Sequence, residues 1–136
     1  PWRNTVLIFA HSFKDLEIAI RETIGHELAH AVALNFNDRN NLRDDLVFEG
    51  IAEHFREHFI GGGKSKWVKS ITRKQAEEIL IQIKSQLKSR NEKLYMGLFY
   101  GTGKYPLWTG YAMGDYLVED YLNTLNERGW MEIIKT

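Results

Sequence analysis

Two histidines four positions apart constrain this chain more than any other feature of its sequence. They frame the run His26-Glu27-Leu28-Ala29-His30, and Glu49 follows after a gap of 18 residues. Residues four apart on an α-helix lie within about 40° of each other around the axis, so both imidazoles can reach one metal ion. The pattern therefore predicts a helix beneath the two histidines and a second element that returns Glu49 to them.

The residues around the histidines support that helix. Apolar side chains recur at three- and four-residue spacing from Asp15 to Leu34, with Ser12 and Asp15 as a capping start. We expect the buried stripe of this helix to contain Leu16, Ile20, Thr23 or Ile24, Leu28, Ala31 and Val32. The β-branched and aromatic run from Thr5 to Phe9 predicts a short strand before it.

Further helices are predicted after the loop at residues 35–41. Asp44 or Asp45 would cap a second helix that ends at the three glycines of residues 61–63. Its predicted buried stripe contains Val47, Phe48, Ile51, Ala52, Phe55 and Phe59. A third helix spans residues 72–90, with Thr72 and Gln75 as a capping box. Residues 91–108 suggest a helical turn and an ordered loop, and a last helix spans residues 110–126. The fold class is mainly α (α+β), with a small β element.

Length and composition favour one ordinary globular domain over residues 1–136. Eighteen basic and eighteen acidic residues cancel, so nothing indicates a nucleic-acid partner. No apolar run is long enough to span a membrane, and the chain has no cysteine, so a metal site must use nitrogen and oxygen ligands. Because the chain begins at Pro1, we expect a processed or N-terminally truncated product, and we expect a cytoplasmic protein.

The residue types at the predicted site suit metal-assisted hydrolysis. His26, His30 and Glu49 would hold one Zn²⁺ per chain and leave the fourth tetrahedral position open, which is typical of a catalytic zinc. Zinc lowers the pKa of water bound to it toward about 7. Glu27 would accept that water's proton as general base and pass it to the leaving amine of a peptide or protein substrate.

Glu53 and Tyr111 are candidates for supporting roles. Glu53 follows Glu49 by one helical turn, so it either hydrogen-bonds a metal-binding imidazole, His26 first, or is an exposed helix carboxylate. Tyr111 begins the last helix, where Gly110 and Gly114 allow close backbone approach, and its phenol could stabilise an oxyanion. The alternative for Tyr111 is a core aromatic, and Tyr105 is the second choice of donor.

The remaining histidines have simpler interpretations. His54 and His58 share the four-residue spacing and could form a second metal pair. The neighbouring Arg56 and Glu57 favour a solvated surface for them instead. His11 is isolated, and we expect a structural role for it.

The two histidines, Glu27 and the sequence Glu49-Gly50-Ile51-Ala52-Glu53 resemble the gluzincin zinc peptidases, especially their aminopeptidase branch. A closer resemblance, from residue 20 onward, is to a bacterial group of predicted zinc-dependent proteases catalogued as a domain of unknown function. It rests on RDDLVFEGIAE at residues 43–53 and GKYPLWTGY at residues 103–111. The resemblance implies a gluzincin-like helical domain, a zinc ion, Glu27 as general base and Tyr111 as the counterpart of the gluzincin tyrosine.

The chain also departs from the aminopeptidases. It is much shorter and lacks their Gly-x-Met-Glu-Asn type of segment, so exopeptidase specificity does not transfer. Two alternatives to a peptidase stay open. One is a zinc hydrolase of a non-peptide amide, and the other is a metal-binding or protein-interaction domain without turnover. Glu27 argues against the second, because metal binding alone does not require it.

Overall fold

The computed structural model of the chain describes residues 16–35 and 38–125. These residues form five α-helices: α1 Leu16–Ala33, α2 Leu42–Phe59, α3 Arg73–Ile83, α4 Glu92–Tyr100 and α5 Thr109–Thr124. A 3₁₀ turn at Lys84–Gln86 follows α3. The mainly α prediction is therefore confirmed over this part of the chain. The predicted strand at Thr5–Phe9, the Ser12–Asp15 cap and His11 lie outside the described residues.

Helix α2 is the centre of the fold, because both α1 and α5 pack against it. Two glycines allow α2 and α5 to approach closely. A Cβ atom on Gly50 would lie 2.2 Å from the carbonyl oxygen of Gly114, and one on Gly114 would lie 2.2 Å from that of Leu46. The two backbones are therefore nearly in contact, and the position of α5 relative to α2 is fixed at that crossing.

The start of α2 differs from the prediction. Asn41 is the N-cap, and its side-chain oxygen accepts a hydrogen bond from the backbone N–H of Asp44. Asp44 and Asp45 lie in the first turn, where carboxylates interact well with the helix dipole. The first two N–H groups of α2 donate to carbonyl oxygens of Leu87 and Ser89, which are distant in sequence.

The third and last predicted helices correspond to α3 and α5, with different bounds, and the sequence predicts only a helical turn at α4. The Thr72–Gln75 capping box is present, yet α3 ends at Ile83 rather than near Arg90. The carbonyls at residues 87 and 89 bond α2 instead of continuing a helix. The expected helical turn after Asn91 is a nine-residue helix, α4, which ends at Gly101 with a left-handed φ of 69°. Helix α5 begins at Thr109, one residue before the predicted start.

The predicted buried stripe of α1 is wrong for three of its large residues, although Val32 packs against a buried cluster. Leu16, Ile24 and Leu28 are 43%, 48% and 50% exposed. The side of α1 that packs inward has the small residues Gly25, Ala29 and Ala33. Hydrophobic periodicity favoured the large side chains, whereas the close packing of α1 against α2 selects the small ones. Among the described residues, no helix is long and apolar enough to cross a membrane.

The predicted buried stripe of α2 is correct only in part. Phe48, Ile51 and Ala52 are buried, but Phe59 is exposed. Three charged residues of this helix are also buried: Glu49, Glu53 and Arg56. A helix whose centre buries three charged side chains must satisfy each of them with partners.

Candidate metal centre

The two histidines of α1 converge on one carboxylate oxygen of α2. The Nε2 atoms of His26 and His30 lie 3.3 and 3.2 Å from Oε2 of Glu49. Ligand atoms of a tetrahedral zinc at bond lengths of about 2.0–2.1 Å are separated by about 3.3 Å. Two nitrogens and one oxygen with these separations fit a zinc ion, and the three residues form a group able to hold a metal.

Each imidazole is oriented by a different side chain of α2. Nδ1 of His26 lies 2.9 Å from Oε1 of Glu53. The ring of His30 stacks on Phe48, with centroids 4.1 Å apart and planes 8° from parallel. The two imidazoles meet edge to face, with centroids 4.5 Å apart. Both rings are therefore oriented by α2 with Nε2 toward Glu49.

The electrostatics of the group follow from its burial. Burial disfavours a charged imidazole, but hydrogen bonds to Glu49 and Glu53 outweigh it and raise the pKa of His26 to about 9. Burial likewise disfavours the Glu49 carboxylate, yet hydrogen bonds from His26 and His30 lower its pKa to about 2. An anionic Glu49 between two imidazoles supplies the negative charge that a divalent cation needs.

Glu53 is the best-connected carboxylate of the fold. It is 1% exposed, and Trp67 donates its indole N–H to Oε1 at 2.6 Å. Oε2 accepts hydrogen bonds from Ser65 at 2.9 Å and from Arg56 at 3.3–3.4 Å. Burial raises the pKa of Glu53. The hydrogen bonds and charges of His26 and the other partners lower it by more, so the pKa lies below its ordinary value.

Arg56 connects this carboxylate to the following loop. It is 1% exposed and donates to the carbonyl oxygens of Gly61 and Gly63 at 3.2 and 2.8 Å. The expected solvated face at Arg56 is therefore wrong. Sequence reasoning missed Arg56, Ser65 and Trp67 as partners of Glu53. The only available indication was the three-residue spacing of Glu53 and Arg56, which is common on exposed helices.

Glu27 and Tyr111 are two predicted site residues that are not part of the ligand group. Glu27 is half-buried and follows His26 directly on α1. Tyr111, in the first turn of α5, is also half-buried and meets Phe99 edge to face at 5.2 Å. Burial, together with the negative charges of Glu49 and Glu53, raises the pKa of Tyr111 above its ordinary value. Tyr105, the second choice of donor, packs against the main hydrophobic core.

The prediction for His54 is wrong, because this residue packs against α5 rather than facing solvent. Its Nε2 lies 3.0 Å from the carbonyl oxygen of Asp115 and 3.3 Å from Oδ1 of the same residue. His58 is exposed, as predicted. With Glu57, His54 and Asp115 form a second group of possible metal ligands, but Lys64 lies 2.5 Å from the other Asp115 oxygen. That ammonium already balances the Asp115 charge.

Comparison with known proteins identifies the family to which the chain belongs. A family model described as "Predicted Zn-dependent protease (DUF2268)" matches residues 1–134. No curated protein matches the chain, and no solved structure does.

Proposed function

Because this chain belongs to the family of predicted Zn-dependent proteases, we propose that it is a zinc-dependent metallopeptidase that hydrolyses peptide bonds. One observation carries the proposal: two imidazole nitrogens lie 3.2 and 3.3 Å from one oxygen of Glu49. These separations suit a tetrahedral zinc, and a set of three protein ligands is characteristic of catalytic rather than structural zinc.

In this proposal His26, His30 and Glu49 hold one zinc ion per chain. When bound, zinc lowers the pKa of a water molecule and polarises the substrate carbonyl. Glu53 orients His26, because its carboxylate lies against Nδ1 and leaves Nε2 directed at Glu49. The stacking of His30 on Phe48 holds the second ring in an equivalent way.

Glu27 is the proposed general base. Its carboxylate follows the first ligand directly and is not needed to hold the metal. It accepts a proton from the attacking water and delivers it to the nitrogen of the leaving amine. Such proton transfer by a positioned side chain contributes about 10²–10⁴-fold to a rate.

Tyr111 is the proposed donor to the carbonyl oxygen of the substrate. Burial and the neighbouring Glu49 raise the pKa of its phenol, so the hydroxyl keeps its proton at neutral pH. A protonated phenol can donate a hydrogen bond as negative charge develops on that oxygen.

The test combines metal analysis with cleavage of an unfolded protein. We expect one zinc per chain, and we expect Glu27→Gln to keep the zinc while losing at least about 100-fold in cleavage rate. Glu17→Gln is the matched control, since Glu17 is an exposed carboxylate of the same helix. A protein that takes up no zinc contradicts the proposal. Equal cleavage by wild type and Glu27→Gln contradicts the role of Glu27.

The same experiment separates the two alternatives. A chain that binds zinc but cleaves neither peptides nor small amides is a metal-binding domain. A chain that cleaves only non-peptide amides is a hydrolase of another substrate class.

A further inference from the structure

An open cavity with charged side chains in its walls lies beside the first turn of α2. It has a volume of about 510 Å³, and its walls include Arg39, Asp45, Arg90, Glu92 and Tyr95. This volume is within the range of ligand-binding cavities, about 300–1,000 Å³. We call it the Arg39–Tyr95 cavity.

The cavity is adjacent to the metal ligands along α2. Asp45 precedes Glu49 by four residues, so both lie on one face of α2 about 6 Å apart along the axis. An extended peptide places alternate side chains on one side at about 6.6–6.8 Å. A substrate side chain one or two residues from the scissile bond can therefore reach the cavity.

Phe48 connects the cavity to His30. The His30 ring stacks on Phe48 at 4.1 Å, and Cζ of Arg39 lies 4.5 Å from the centroid of the same phenyl ring. The Phe48 ring therefore contacts both the His30 imidazole and the Arg39 guanidinium. Burial lowers the pKa of Arg39, but the hydrogen bond and charge of Asp45, with a smaller contribution from Glu49, outweigh it and raise the pKa.

The charges of the cavity are not all balanced by partners. Asp45 pairs with Arg39, since its Oδ1 lies 2.7 Å from both Nε and Nη2. Glu92 lies in the first turn of α4, where the helix dipole favours a carboxylate. Arg90 donates only to the backbone carbonyls of Arg39 and Asn40, and it pairs with no carboxylate in residues 16–35 and 38–125.

The donors in the walls of the cavity are the exposed Arg90 guanidinium and the half-buried phenol of Tyr95, and the exposed carboxylate of Glu92 also lines it. A guanidinium and a phenol are complementary to a carboxylate, which accepts from both.

We propose that the Arg39–Tyr95 cavity binds an acidic side chain of the peptide substrate, within two residues of the scissile bond. This inference rests on the proposed peptidase function and gives it a substrate preference. Arg90 is the residue that sets the preference, since its charge is the one without a carboxylate partner.

Peptides that differ at one position test the proposal. Glu, Gln or Leu is placed in turn at each of the two positions on either side of the cleaved bond. At one position we expect kcat/KM for Glu to exceed that for Gln by about tenfold, as a hydrogen-bonded charge typically provides. Arg90→Gln should abolish this ratio, whereas Arg90→Lys should keep part of it.

Arg43→Gln is the matched control. Arg43 is an exposed arginine of α2 that pairs with Asp44 and does not line the cavity. Arg43→Gln removes one positive charge near the cavity, as Arg90→Gln does, and should leave the preference for Glu intact. A preference that disappears equally in Arg43→Gln would show long-range attraction and overturn the assignment to Arg90.

Equilibrium binding separates this inference from the proposed function. Calorimetry with Glu27→Gln measures affinity for the Glu and Gln peptides without turnover. The Glu peptide should bind more tightly than the Gln peptide, and Arg90→Gln should remove this difference. That result supports binding of an acidic side chain in the cavity, even if the chain cleaves no peptide. Equal binding of both peptides, or a Glu preference that survives in Arg90→Gln, overturns it.

Discussion

Nδ1 of His26 lies 2.9 Å from Oε1 of Glu53, a buried carboxylate with two further partners in the loop after α2. Trp67 donates to the same oxygen, and Ser65 donates to the other. The carboxylate thus cannot rotate away from the imidazole without breaking hydrogen bonds in a buried environment. The loop at residues 61–70 therefore contributes to the orientation of a proposed metal ligand that it does not touch.

We expect loss of these loop donors to weaken zinc binding. Groups that orient a metal ligand typically contribute about 10–100-fold to affinity. Trp67→Phe should raise the zinc Kd by about tenfold, and Ser65→Ala by less, because Ser65 donates to Oε2 and not to the oxygen nearest His26. Competition against a chromophoric chelator measures both. Ser70→Ala is the control, since the Ser70 hydroxyl is buried without a hydrogen-bond partner. Unchanged affinity in both loop variants would contradict the positioning role of Glu53.

The two groups of possible metal ligands can be told apart by one pair of variants. Glu49→Gln removes the anionic ligand between His26 and His30, and we expect it to weaken zinc binding at least about 100-fold. Glu57→Gln alters the group that contains His54 and Asp115 and should retain one zinc per chain. Metal content after dialysis against dilute zinc provides the measurement. The reverse result would assign the ion to the second group.

Much of the candidate site could be predicted because it is local in sequence. The spacing of His26 and His30 requires only helical periodicity, and Glu49 and Glu53 share a helix one turn apart. A four-residue spacing fixes a common face whatever the rest of the fold does. The proximity of Glu53 to His26 followed once both helices were assigned.

The incorrect and missing parts depend on tertiary packing. Trp67 contacts Glu53 from 14 positions further along the chain, beyond the end of α2 in an irregular loop, which no periodicity describes. Arg56 is buried because Glu53 and two loop carbonyl oxygens accept its hydrogen bonds. The prediction took its charge as a sign of an exposed position and was therefore wrong. On α1 the large apolar residues are exposed because glycine and alanine make the close contact with α2.

The ion pairs of Glu119 connect α5 to Lys64 and Arg73, and their contribution to stability can be tested. Glu119 accepts from Lys64 at 3.1 Å and also pairs with Arg73. Burial raises the pKa of Glu119. The hydrogen bonds and charges of Lys64 and Arg73 together lower it by more, so the pKa lies below the ordinary value of 4.5. A lowered native pKa gives stability that is present above about pH 4.5 and is lost as the pH falls through the native pKa.

We therefore expect Glu119→Gln to be less stable than wild type at pH 7, by no more than about 1 kcal/mol, since the pair is partly solvated. The difference should be smaller at pH 3, because Glu119 becomes protonated as the pH falls through its native pKa. Urea denaturation at both pH values measures the free energy of unfolding, and Glu78→Gln on the exposed side of α3 is the control. A deficit of the same size at both pH values would mean that the ion pairs are not its source.

The crossing of α2 and α5 should be the least tolerant position of the fold. An unhindered Gly→Ala change inside a helix stabilises by about 0.5–1 kcal/mol. At Gly114 the new Cβ would lie 2.2 Å from the Leu46 carbonyl oxygen, a backbone atom that cannot move without shifting α2. Overpacking of this kind costs about 1–3 kcal/mol or more.

Gly25→Ala is the matched comparison, because its Cβ would meet only the Ile60 side chain, at 2.5 Å, and that side chain can rotate. We expect Gly114→Ala to lower the free energy of unfolding by several times more than Gly25→Ala, as measured by urea denaturation. Because Gly50, the partner of Gly114, directly follows Glu49, Gly114→Ala should also weaken zinc binding in the protein that remains folded. A Gly114→Ala variant as stable as wild type would mean that the two backbones do not approach as closely as the structure shows.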